Sequence, residues 1–132
     1  MTVFESKSTV ARPIGEVYTF LADLNNHQQL MPENIYNWSS STDEARFTIQ
    51  NMAKLALKIS ERKENESILI IPAEEAPFSV DLKWTLSDDG NSTTNATLTI
   101  TADLNMMMKM LASGPLQKLT DHQTAELAKA LA

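Results

Sequence analysis

Two stretches of this chain alternate strictly between apolar and polar residues. Phe78, Val80, Leu82, Trp84 and Leu86 interleave with Ser79, Asp81, Lys83, Thr85 and Ser87, and Ala96, Leu98, Ile100, Ala102 and Leu104 interleave with Asn95, Thr97, Thr99, Thr101 and Asp103. A period of two places all the apolar side chains of a strand on one face. The pattern therefore predicts two long antiparallel strands turned at Asp89-Gly90, with one face in water and the other covered.

Shorter strands precede them. Residues 2–11 put Phe4, Ser6, Ser8 and Val10 on one side. Residues 35–39 carry Tyr36 and Trp38, residues 45–50 alternate around Phe47 and Ile49, and Ala53, Leu55, Leu57 and Ile59 oppose Lys54, Lys58 and Ser60. Residues 67–71 are apolar on both faces up to Pro72, as expected of a central or partly covered strand. Between the first two strands the period becomes helical, with Ile14, Val17, Leu21 and Leu24 on one stripe. That predicts a helix over residues 13–24 with Pro13 at its first position. A second short helix follows, capped by Asn25 or Asn26 and stopped by Pro32.

The covering layer must be helical, and the C-terminal stretch is its main candidate. Residues 105–112 begin a helix containing Met106, Met107, Met108, Met110 and Leu111, which Ser113-Gly114-Pro115 is expected to kink or break. Beyond Pro115, the residues Leu116, Leu119, Leu127 and Leu131 share one sector of the helical wheel with Thr120 and Gln123. A buried amide without a partner costs about 1–3 kcal/mol. The two polar residues thus face either a pocket, or the rim and neighbouring backbone.

Composition narrows the functional classes. The chain has 132 residues, enough for a single domain over 1–132 with its own core, and 42% are hydrophobic. A formal net charge of −6 opposes non-specific binding to nucleic acid and to anionic membranes. Its basic residues at Lys58, Arg62 and Lys63 are interleaved with Glu61 and Glu64. No export signal and no run long enough for membrane insertion are visible, which favours the cytoplasm, so Asn37, Asn65, Asn91 and Asn95 read as accidental glycosylation matches. Without cysteine there is no thiol nucleophile and no thiolate metal site. The acidic pairs Asp43-Glu44, Glu74-Glu75 and Asp88-Asp89 read as solubility charges, and His27 and His122 as surface residues. No phosphate loop or nucleophile elbow is present, so no catalytic residue, metal or cofactor is assigned.

The junction Val10-Ala-Arg-Pro-Ile-Gly-Glu-Val-Tyr-Thr-Phe-Leu-Ala-Asp-Leu24, the stop at Leu30-Met-Pro32 and the Thr-rich last strand running into the terminal helix resemble the START-like, or SRPBCC, superfamily. The resemblance covers essentially the whole chain and rests on element order more than on any catalytic signature. It implies an α+β helix-grip fold. In that fold a curved antiparallel sheet of about six to seven strands wraps around a long C-terminal helix, with two short helices after the first strand and a cavity between sheet and helix. The residues expected to line such a cavity are Phe20, Met31, Trp38, Phe47, Ile49, Leu57, Leu69, Ile71, Leu82, Trp84, Leu98 and Ile100 from the sheet side. From the terminal helix they are Met107, Met110, Leu111, Leu119, Thr120 and Gln123. Ser6 and Ser8 are further polar candidates. The leading functional expectation is binding or transport of a small hydrophobic, lipid-like or polyketide-like molecule. Its alternatives are an enzyme of the cyclase or dehydratase type, or a co-chaperone-like regulator contacting other proteins through the surplus methionines.

Overall fold

A computed structural model describes residues 1–76 and 78–132. Seven strands form one antiparallel sheet: β1 (Thr2–Val10), β2 (Ile35–Ser40), β3 (Glu44–Ile49), β4 (Ala53–Lys63), β5 (Ser67–Pro72), β6 (Ser79–Gly90) and β7 (Thr93–Asp103). Their spatial order is β1-β7-β6-β5-β4-β3-β2. The first two strands in sequence are therefore the two opposite edges. Residues 11–34 must bridge them, and they do so as a helix, α1 (Ile14–Leu21), and a 3-10 helix (Leu24–Leu30). The last helix, α2 (Met106–Ala130), packs on β1, β7 and the 3-10 helix. The sheet curls around it as a half-barrel.

The alternating strands behave as their pattern dictates. Val80, Leu82, Trp84 and Leu86 are buried on β6 with exposed neighbours between them, and Ala96, Leu98, Ile100 and Ala102 are buried on β7. The hairpin turn lies two residues later than Asp89-Gly90. Gly90 pairs with Thr93, leaving Asn91 (φ 51°) and Ser92 (φ 61°) as a two-residue loop. Positive φ at both central residues is the type I′ turn that matches sheet twist. Asn37, Asn51, Asn65 and Asn91 all adopt positive φ. Three of the four glycosylation-pattern asparagines thus serve in left-handed backbone positions, a conformation asparagine tolerates better than most residues. Serine tolerates it poorly. Replacing Ser92→Gly is expected to raise stability by about 0.5 kcal/mol, relief of left-handed strain outweighing the added chain entropy; thermal unfolding of the two proteins checks this.

Helix boundaries depart from expectation in three places. α1 ends at Leu21 with Ala22 as its C-cap, so the helix is shorter than residues 13–24. The following turn is capped by Asp23, whose side chain accepts from the Asn25 backbone N–H at 2.9 Å, rather than by Asn25 or Asn26. Helical structure in α2 runs unbroken through Pro115. Two carbonyls near the proline are engaged locally: Ser113 Oγ donates to the Lys109 carbonyl, and Thr120 Oγ1 donates to the Leu116 carbonyl at 2.7 Å.

Candidate functional site

The concave side of the sheet, the 3-10 helix and α2 enclose a small cavity. Leu24, His27 and Met31 close one end, Trp38, Ala45, Phe47, Leu57, Ile70 and Leu82 form the sheet wall, and Leu119 and Gln123 reach in from α2. It leaves about 20 Å³ for the centre of a water-sized sphere, room for one water and not for a lipid.

Local irregularities set this wall. Between the pairs Tyr36↔Thr48 and Ser39↔Arg46, two β2 residues, Asn37 and Trp38, face the single residue Phe47. This is a β-bulge, and it turns Trp38 inward while Tyr36 stays outside. Trp38 stacks on Phe47 with ring centroids 5.3 Å apart and planes 13° from parallel. Its indole N–H donates to Ser40 Oγ at 2.9 Å, and that hydroxyl donates to Asn25 Oδ1 at 2.8 Å, tying β2 to the 3-10 helix. From β4, Arg62 donates to the Ala22 carbonyl at 2.8 Å and pairs with Asp43 at 2.6 Å. The cavity end is thereby fastened on two sides.

Two polar side chains belong to the wall. Gln123 is fully buried, and neither atom of its amide has a hydrogen-bond partner among the described residues. Ser8 Oγ and Trp84 Nε1 also lack partners among those residues, but they do not line the cavity. His27 is buried as well, contrary to the surface position expected for it. Side chains three apart eclipse on a 3-10 helix, and Leu24, His27 and Leu30 are its buried residues. The ring Nε2 sits 2.8 Å from the Leu21 carbonyl. Desolvation lowers its pKa from 6.5 to about 4, against the raising influence of that carbonyl and of the Asp23 carboxylate. His27 is thus neutral at pH 7.

No family model matches the sequence, and none of the curated proteins matches it. Solved structures do. A protein from Thermus thermophilus superposes with a TM-score of 0.79 at 14% identity, covering 98% of this chain and 97% of that one. A START superfamily protein from Mycobacterium smegmatis gives 0.68 at 16% identity over 98% and 96% of the two chains. The di-domain ARO/CYC BexL from the BE-7585A biosynthetic pathway gives 0.73 at 14% identity, with 98% of this chain on 46% of that one. The chain has the START-like helix-grip fold.

Within that helix-grip fold, seven of the residues named from the sequence, Met31, Trp38, Phe47, Leu57, Leu82, Leu119 and Gln123, lie on the cavity wall. Ile49, Trp84, Leu98, Ile100 and Thr120 are buried but do not line it. Leu69 and Ile71 are corrections. Leu69 pairs with Glu61 and Lys83, and Ile71 with Lys58, all exposed partners on the outer face, while Ile68 and Ile70 face inward. Phe20 lines a different feature, an open groove of about 630 Å³ with Pro13, Gly15, Glu16, Thr19, Asn26 and Leu131.

The methionine expectation also needs correction. Met107, Met110 and Leu111 are 73%, 82% and 64% exposed, too open to line any cavity. Of the four methionines at residues 106–110, only Met108, one turn before buried Ala112, reaches the core. Of the other polar candidates, Ser6 is bonded to Thr124 at 2.7 Å and the Thr120 hydroxyl is taken by Leu116. Sequence reasoning missed Leu24, His27, Ala45 and Ile70 as lining residues. Among the described residues no cluster of His, Cys, Asp or Glu forms a metal cage, and no helix is long and apolar enough to cross a membrane.

Proposed function

We propose that this protein binds a small, predominantly apolar molecule between its sheet and α2, and carries or sequesters it. The observation that supports this most is the Gln123 amide, fully buried on the cavity wall with both polar atoms unpartnered. A wall built only to close a core is better served by an aliphatic side chain there. Ligand pockets, in contrast, are apolar enclosures with a few placed polar groups. The stacked aromatic pair and Met31, an adaptable thioether, suit an apolar guest.

The space of about 20 Å³ requires that the guest displace part of the wall. Beyond its tethers at Ala22 and Asn25, the 3-10 helix is the element suited to yield, because its hydrogen-bond geometry is poorer than that of an α-helix. The relatives that share the fold, one of them an ARO/CYC protein, are in keeping with such a site. Native mass spectrometry of the protein as isolated, followed by titration with a hydrophobic fluorescent dye, tests the reading. Co-purifying small-molecule mass or saturable dye uptake at one site per chain is expected. A bare chain that takes up no dye would sink it.

His27 favours a second reading, an enzyme of the cyclase or dehydratase type, since a neutral imidazole on the wall of an enclosed site can act as a general base. Recovery of a captured compound with altered mass would favour catalysis, and recovery unchanged would favour carriage.

A further inference from the structure

The cavity wall carries polarity without charge. None of its lining residues is Asp, Glu, Lys or Arg. Gln123 contributes two N–H donors and one carbonyl acceptor, all unengaged. At His27 the carbonyl of Leu21 can only accept, so Nε2 of the neutral ring bears the proton and Nδ1 is left with its lone pair. Trp38 adds no donor, because its indole N–H is committed to Ser40. The rest of the wall is apolar, made of aliphatic side chains, the Met31 thioether and the flat Trp38 and Phe47 rings. The space beside these polar groups is the size of one water, which is also the size of one hydroxyl group.

Resting on the binding reading above, we infer that the site selects uncharged ring-bearing molecules whose hydroxyl or amide group both donates and accepts, and discriminates against carboxylates and phosphates. The hydroxyl hydrogen is directed at an acceptor, either His27 Nδ1 or the Gln123 carbonyl, while the hydroxyl oxygen accepts from the Gln123 amide. A carboxylate has no such solution. It would lose its hydration against a wall with no cation, and His27, kept neutral by its burial, supplies none. A fully apolar ring is accommodated but leaves the Gln123 amide unpaired, which is the stronger basis for discrimination in an enclosed site.

The test uses three probes with one ring system: 2-naphthol, naphthalene and 2-naphthoate, titrated at neutral pH into the intact protein and into Gln123→Met. The 2-naphthol is expected to bind about tenfold more tightly than naphthalene, the worth of one satisfied buried hydrogen bond. The 2-naphthoate is expected to bind more weakly than either. In Gln123→Met the advantage of 2-naphthol over naphthalene should shrink, since only His27 Nδ1 remains to accept and no amide remains to donate, and amide chemical shifts in the unaltered protein should move around His27 and Gln123. Equal affinity for 2-naphthol and naphthalene overturns the inference while leaving the cavity itself intact as a binding site. So does tight binding of 2-naphthoate, a naphthol preference undiminished in Gln123→Met, or shifts confined to the outer groove beside Phe20. If none of the three binds, the cavity reading and this inference fall together.

Discussion

Acidification from pH 6.5 to about pH 4 is expected to remove about 3 kcal/mol of folding stability through His27, at about 1.4 kcal/mol per unit of pKa difference. In the unfolded chain the imidazole takes its proton near 6.5; in the fold, desolvation holds it neutral down to about 4. Between those values the unfolded state binds more protons, so stability falls as pH falls. The contribution is complete above 6.5 and gone below about 4. Asp23 is the carboxylate that counters this by favouring the charged ring. Urea unfolding across the window, in the native sequence and in His27→Gln, isolates the effect, because glutamine can donate to the Leu21 carbonyl without titrating. The native curve should fall more steeply by about the stated amount. Parallel curves would show that His27 meets water in the fold and would withdraw it from the cavity wall.

Gln123→Met is expected to stabilise the protein by about 1–3 kcal/mol, the cost of an unmet buried polar group. Methionine has nearly the same length and volume as glutamine, so no cavity or overpacking offsets the gain. Few core substitutions raise stability. One that does so while weakening ligand uptake marks a position held for binding at the expense of the fold. A loss of stability, measured by the same unfolding experiment, would mean that the amide is satisfied in solution and would remove the main support for the binding proposal.

How far the sequence can be read follows from how redundant each signal is. β6 and β7 have one polar and one apolar side, and their register is set by that alternation before any tertiary contact is known. On α2, the residues Leu116, Leu119, Thr120, Gln123 and Leu127 are all buried, as their common sector implies. β5 gives no such signal. Ile68, Leu69, Ile70 and Ile71 are apolar at every position, so only pairing decides which face is inner, and Lys83 opposite Leu69 is the residue that reveals it. His27 is concealed by its neighbours. In Leu24-Asn-Asn-His-Gln-Gln-Leu30 every intervening residue is polar, and an α-helical period gives the histidine no buried role. A period of three places it between two buried leucines. The start of α2 misleads for the opposite reason, since its hydrophobicity suggests burial although a single helical stripe admits only Met108.

The irregularity at Asn37 and Trp38 bears on how copies of this chain avoid one another. β2 is an outermost strand, and a straight outermost strand offers unpaired N–H and C=O groups on which another molecule can continue the ladder. The extra residue interrupts that ladder midway along a strand of only six residues. The same kink that brings the indole over Phe47 therefore also makes this rim a poor template for polymerisation.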